Sequence, residues 1–206
     1  GTASNVTYEF GLNFTPDFVW IKPRNQTENH SLHDSTRGGT NQLAPNSSTA
    51  AREQGNTITS FDTGGFTTGT DNNTNKSGIN YVAWCLKANG GTTSSNTDGD
   101  ITSTVQANTA AGFSIITYTG NGNSAQTVGH GLGIAPKIII IKERAGTGSW
   151  DDWVVGGDDI SNWTQYLRLN ETAASATGYQ TAPFSNTAPT SSVFTVTYQD
   201  GAGING

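Results

Sequence analysis

The chain has 206 residues, only 33% of them hydrophobic and 13% charged, with a formal net charge of −6 and a pI of about 4.8. Its ten Lys and Arg are scattered, so no cationic cluster is available to neutralise phosphates, which argues against nucleic acid and against an anionic membrane surface. No apolar run approaches the roughly 20 residues of a spanning helix, so membrane insertion is not expected.

Disordered chains usually combine low hydrophobicity with high charge, and the charge is missing here. Abundant Thr, short Val/Ile/aromatic runs and Gly/Asn/Asp punctuation instead predict an all-β protein of many short strands joined by turns. In chain order, strands are expected over residues 18–22, 58–61, 81–86, 113–119, 137–142, 153–155, 166–169 and 193–198. The last alternates Val193/Thr195/Thr197 against Phe194/Val196/Tyr198, the pattern of one wet and one buried face. The 137–142 stretch is apolar almost throughout and reads as a central strand. Helical periodicity is confined to a turn at 49–54.

A repeat organises these elements. Leu12, Pro16, Ile21, Lys22 and Arg24 recur as Leu132, Pro136, Ile141, Lys142 and Arg144, all 120 residues on (132 − 12, 136 − 16 and so forth). Asn46 and Ala50 answer Asn170 and Ala174 at an offset of 124 (170 − 46), and Phe66-Thr67 answers Phe194-Thr195 at 128 (194 − 66). Offsets that grow in small steps are what loop insertions between retained strands produce. The expected division is copy one at 1–87, a polar connector at 88–111 and copy two at 112–206. The copies are out of phase: copy one runs into Tyr81–Leu86, copy two has no such strand, and copy two opens with Phe113–Tyr118, unmatched in copy one. The pieces are therefore expected either to complete one composite sandwich or to borrow strands from neighbours, as in a homotrimer. With no methionine and no signal-peptide pattern, the chain reads as part of something longer.

The chemistry scan is mostly negative. Neither a Gly-x-Ser-x-Gly elbow, nor His-Glu-x-x-His, nor a phosphate loop, nor paired cysteines occur, so neither catalytic residues nor a metal or cofactor is expected. Cys85 is the lone cysteine and reads as a small buried hydrophobe. His30 and His33 would point to opposite faces of a strand. Asp151-Asp152 and Asp158-Asp159 read as solvated loop charges, and the oxygen-rich run Thr70–Asn75 as a polar hairpin turn lacking the glycine and closing glutamate of a calcium loop. Trp20 and Trp84 are expected in the core. Trp150, Trp163 and Tyr179 stand among Gly, Asp and Asn in loops, and are the candidate sugar contacts, because a ring face beside amide groups suits a polyhydroxylated ligand.

Two phrases, Phe113-Ser114-Ile115-Ile116-Thr117-Tyr118-Thr119-Gly120-Asn121-Gly122 and Val128-Gly129-His130-Gly131-Leu132-Gly133-Ile134-Ala135-Pro136-Lys137, resemble a repeat of tailed-phage virion proteins, common among marine phages. Pro16–Lys22, Ser60-Phe61-Asp62 and Tyr81-Val82-Ala83-Trp84-Cys85 resemble the sister half of that unit. The resemblance implies a lectin-like β-sandwich (jelly-roll or concanavalin-like) on a tail fibre or capsid exterior. It also implies a virion-surface location, other virion subunits as partners, and attachment to host-surface glycan or a role in virion assembly. It carries no catalytic residue. The alternatives are a carbohydrate-active depolymerase domain on the same scaffold and a bacterial secreted adhesin. Two carboxylates in one cleft would mark the first, whereas a flat, aromatic-studded face would mark a binding module.

Overall fold

The computed structural model describes residues 6–9, 11–145, 151–174, 183–198 and 204–206. The chain divides into two compact units, Gly1–Thr92 and Thr93–Gly206, each with its own apolar cluster. The boundary falls inside the expected connector. Residues 94–96 and 103–108 of that connector are strands of the second unit, because Ser103 and Val105 alternate inward with backbone partners on both sides.

Unit 1 contains β1 (Val6–Glu9), β2 (Phe18–Pro23), β3 (Ser31–Asp34), β4 (Asn41–Gln42), β5 (Arg52–Glu53), β6 (Ile58–Asp62), β7 (Gly65–Thr68), the one-turn helix α1 (Asn72–Asn75) and β8 (Tyr81–Leu86). They form antiparallel sheets of order β1-β7-β6 and β3-β2-β8, plus the β4-β5 ribbon. Strand parity decides what is buried: in β2 Val19, Ile21 and Pro23 are buried, and Phe18, Trp20 and Lys22 face the other way. Val19 and Ile21 meet Ile58 and Phe66 from the other large sheet, with Tyr8, Phe61, Tyr81, Ala83 and Cys85 packed around them. At Gly65 any Cβ would lie 1.7 Å from the Tyr8 carbonyl oxygen, so the β1–β7 approach requires glycine. Within the Thr70–Asn75 run, Asn72–Asn75 form α1, capped by the Asp71 carboxylate accepting from Asn73 N–H, rather than a hairpin turn.

Unit 2 contains β9 (Ser94–Asn96), β10 (Ser103–Asn108), β11 (Phe113–Tyr118), β12 (Gln126–Gly129), β13 (Ile138–Lys142), β14 (Trp153–Gly157), β15 (Leu167–Arg168) and β16 (Val193–Val196). The sheet orders are β11-β10-β9, β12-β16 and β13-β14-β15. Its core joins Ile141 and Val154 to Val128, Phe194, Val196, Trp163 and Phe184. No sheet of the described residues exceeds three strands, so the class is all-β without a jelly-roll order being established.

The duplication is structural. β1 plus 120 gives β12 (6 + 120 = 126), and β7 plus 128 gives β16 (65 + 128 = 193). Both pairs are antiparallel two-strand partnerships, β1 with β7 and β12 with β16. β2 corresponds to β13 and β3 to β14 by the same argument. Asn46 and Asn170 do identical work: Asn46 Oδ1 accepts from His30 N–H at 2.9 Å and its Nδ2 donates to Asn29 Oδ1. Asn170 Oδ1 accepts from Trp153 N–H at 2.9 Å and its Nδ2 donates to Asp152 Oδ1.

The copies part company at one sheet edge. In unit 1, β2 lies between β3 and β8, whereas its counterpart β13 is an edge strand. The expectation that 137–142 is central therefore fails, because among the described residues nothing pairs in the place of β8. Asp17 shows the consequence. Its buried carboxylate accepts from Ser35 Oγ and from the N–H groups of Ala88, Gly90 and Gly91, tying down the turn that follows β8. The same repeat position in unit 2 (17 + 120) is Lys137, which instead pairs with Asp158.

Candidate functional site

Of the three expected sugar contacts, the structure describes one. Trp150 and Tyr179 lie outside the described residues. Trp163 is 0% exposed: its ring stands edge-on to Phe184 at 5.4 Å and its Nε1–H donates to Asp158 Oδ1 at 2.7 Å. Ser161, Asn162 and Trp163 all hold positive φ, a left-handed turn costing about 1–2 kcal/mol per residue that carries the indole into the core. A ring so placed cannot stack on a ligand, so Trp163 belongs to folding. Asp158 is likewise no free loop charge, since Lys137 and Trp163 both bind it and hold its carboxyl below the ordinary range.

The most exposed ring among the described residues is Trp84 in unit 1, on the face of the β3-β2-β8 sheet away from the core. Trp84 is 49% exposed and packs edge-on against half-buried Trp20 at 5.8 Å, its cross-strand partner. Phe18 and Leu86 pair two residues along on the same face. Trp20 Nε1–H donates to His30 Nδ1 at 2.9 Å. Burial, and then the Lys22 charge, lower the His30 pKa and keep the ring the neutral acceptor this bond needs. Lys22 Nζ in turn donates to the carbonyls of Pro23, Gln26 and Glu28, bracing the loop that brings His30 back beside Trp20.

A chain of hydrogen bonds leads from this ledge to a small polar cavity. The His30 N–H reaches Asn46, and Asn46 reaches Asn29, which lines the cavity. Its volume is about 160 Å³, and Gln42, Arg52, Gln54, Asp71 and Asn73 share the lining. That is below the roughly 300–1,000 Å³ of enclosed small-molecule sites, enough for a projecting polar group but not a whole ligand. Amides, one guanidinium and one carboxylate offer donors and acceptors in several directions.

Ser31 and His33 form a 2.7 Å pair on the core side of β3, but both are fully buried. Gln42 Nε2 donates to Ser31 Oγ, the hydroxyl donates to His33 Nε2, and Nδ1–H donates to the Gly39 carbonyl, so every lone pair and proton of the imidazole is spent. Burial above all drives the His33 pKa down to about 3. The Cys85 thiol is pushed up to about 11 by burial and is not a thiolate at neutral pH. Among the described residues no three His, Cys, Asp or Glu side chains converge as a metal site would require.

Sequence reasoning missed Trp20 and Trp84, and strand parity is the signal that would have found them. Once Val19 and Ile21 are assigned to the core, Trp20 must face away, and Trp84 beside it. No curated protein and no solved structure matches the chain. One family profile matches residues 1–205, spanning both units, and the chain belongs to that family, the domain of unknown function DUF7483.

Proposed function

We propose that the chain is a non-enzymatic attachment module of a phage virion surface, and that unit 1 contacts host-surface glycan through the Trp20–Trp84 ledge. The phage setting is supported by the sequence resemblance of residues 16–22, 81–85, 113–122 and 128–137. The observation that carries the glycan reading is the half-exposed Trp84 ring packed on Trp20, whose indole is linked through His30, Asn46 and Asn29 to an amide-rich cavity. Sugar rings present C–H faces that stack on indole and hydroxyls that bond to amides, a carboxylate and a guanidinium. One arginine among neutral amides does not make a phosphate-binding surface, in keeping with the net charge of −6.

The test is a glycan array with whole-cell binding, comparing wild type with Trp84→Ala. Trp84 is exposed, so the variant keeps its fold, and saccharide binding drops at least tenfold. Glycan binding that survives Trp84→Ala but is lost on Trp150→Ala or Tyr179→Ala moves the site to unit 2. No binding to any glycan or cell by folded wild type ends the attachment reading.

A further inference from the structure

We propose that the polar cavity of unit 1 takes the carboxylate of an acidic sugar, a uronic acid or a sugar of the same chemistry, on Arg52. The proposal rests on the reading of unit 1 as a glycan contact and adds to it the charge of the glycan. The cavity wall holds a guanidinium, a carboxylate and several amides, and the hydrogen bonds each has left to make identify the ligand that would complete them.

Strand pairing sets the cation in place. β4 and β5 pair Gln42 with Arg52 and Asn41 with Glu53, so Arg52 and Gln42 stand on one face of the ribbon and Glu53 on the other. The carboxylate next to Arg52 in sequence is thereby turned away from it. Arg52 is exposed, and among the described residues it makes no ion pair and no side-chain hydrogen bond. Gln54 and Asn73 line the same cavity with side-chain amides that are equally uncommitted. The backbone of Gln54 is fixed by its N–H on the Thr40 carbonyl at 2.7 Å and by its own carbonyl, which accepts from the Thr57 hydroxyl at 2.8 Å. A guanidinium offers two parallel N–H groups that a carboxylate meets in one plane, and amide NH₂ groups can donate to the same oxygens.

The acceptors favour hydroxyls. Gln42 is only 7% exposed, and its Nε2 donates to Ser31 Oγ at 2.8 Å, which orients the amide and leaves Oε1 with no donor among the described residues. Asp71 is held by its N–H on the Asn56 carbonyl at 3.0 Å; its Oδ1 accepts from Asn73 N–H at 2.8 Å, and its Oδ2 is unengaged among the described residues. Arg52 and Asp71 do not pair with each other, so the wall presents its two charges at separate points. A carboxylate carried a few bonds from hydroxyls satisfies both: the anion meets Arg52, and the O–H groups donate to Asp71 and Gln42. A neutral sugar leaves the guanidinium unmet, and a densely anionic ligand brings one of its charges against Asp71. The volume of about 160 Å³ accepts the carboxylate-bearing edge of one sugar.

The test uses the full chain. In the first arm, sodium glucuronate and glucose, which differ by the carboxylate, are titrated against the protein by NMR. Expected with glucuronate are shifts of the Arg52 Nε–H and of the Gln42, Gln54 and Asn73 side-chain amides, absent with glucose and absent from Arg52→Gln. In the second arm, uronic-acid oligosaccharides on an array are compared with the same oligosaccharides after reduction of their carboxyls. The acidic forms should bind about tenfold more tightly, and Arg52→Gln should remove that difference while leaving the reduced forms unchanged. Arg52 is exposed and its side chain makes no bond, so the variant keeps its fold. Arg52→Lys, a point charge without the fork, should restore only part of the preference. Glycan binding that needs Trp84 but ignores both the carboxyl and Arg52 overturns this proposal and leaves the ledge reading standing. No binding of any glycan or of glucuronate by folded wild type ends both. Equal shifts with acetate or a polyglutamate peptide overturn the sugar assignment, since any carboxylate would then serve.

Discussion

Replacing Asp17 with Asn removes one acceptor oxygen and the charge, and the geometry says that this alone costs a measurable part of the stability of unit 1. Oδ1 accepts from Ser35 Oγ at 2.7 Å and from Gly91 N–H at 2.8 Å; Oδ2 accepts from Ala88 N–H at 2.8 Å and Gly90 N–H at 2.9 Å. An asparagine keeps one acceptor oxygen and turns an NH₂ toward the remaining two donors. Hydrogen bonds to a charged group contribute about 1.5–3 kcal/mol each, and a buried donor left unmet costs about 1–3 kcal/mol. Gly90 and Gly91 are exposed and can turn to water, but Ala88 is buried. With the oxygen kept toward Ala88 and Gly90, two bonds lose their charge and those from Ser35 and Gly91 are lost, an expected cost of about 2–4 kcal/mol for Asp17→Asn, with Asp17→Ala, which also strands Ala88, costlier. The assay is urea denaturation together with hydrogen exchange at β8, whose amides should lose protection first because the turn that anchors the strand is released. Lys137→Ala, at the same repeat position in unit 2 but on an exposed side chain, should leave the urea midpoint where it is. An Asp17→Asn protein within about 0.5 kcal/mol of wild type, the range of ordinary surface changes, would refute the reasoning.

Three further outcomes follow from the buried groups. The His33 pKa is about 3 when folded against 6.5 unfolded, so between those values the unfolded chain binds the extra proton. Its contribution is complete above pH 6.5 and falls with acid, by roughly 4–5 kcal/mol on reaching pH 3; an imidazole resonance titrating near 6.5 in the folded protein would contradict this. Trp163→Ala should cost about 3–5 kcal/mol through the cavity it leaves, with binding per folded molecule unchanged, as calorimetry beside the cell assay will show. The duplicated asparagines should differ in weight. Asn170→Ala loses a half-buried bond to the Asp152 carboxylate and should cost about 1.5–3 kcal/mol, whereas Asn46→Ala loses bonds in exposed positions and about 0.5–1.5 kcal/mol. Equal midpoints in urea would remove that distinction.

What was legible in the sequence is what periodicity and repetition encode. β8 was bounded to the residue, and β2, β6, β11, β13 and β16 within a residue or two, because each is rich in β-branched or aromatic side chains. β3, β9 and β10 were missed because they are polar: Ser31-Leu32-His33-Asp34 carries no hydrophobic alternation, and its burial depends on Gln42 and Gly39 satisfying Ser31 and His33. Partners distant in sequence leave no local signal. Trp163, the one candidate contact among the described residues, was misplaced for a different reason. Composition places aromatics in loops among amides, but whether a ring faces water is decided by strand parity at Trp84 and by three left-handed residues at Trp163.

The two copies therefore diverge less in their strands than in what each sheet edge meets. Where β8 is present, the repeat position before the strand is an aspartate that collects the N–H groups of the following turn, and the outer face is aromatic. Where no described strand takes the place of β8, that position is a lysine turned to Asp158, and the outer face shows exposed Ile138 and Ile140. Among the described residues a carboxylate at 137 would find no such turn to bind, and a lysine at 17 would leave a buried ammonium among four donors. The Asp17/Lys137 exchange is thus a consequence of the edge and a test of it. Asp17→Lys should unfold the β8 turn, while Lys137→Asp should leave unit 2 folded and cost only the Asp158 pair. If instead Lys137→Asp disrupts unit 2 as severely as Asp17→Lys disrupts unit 1, the two positions are not answering to the presence of β8, and the correspondence between the edges must be redrawn.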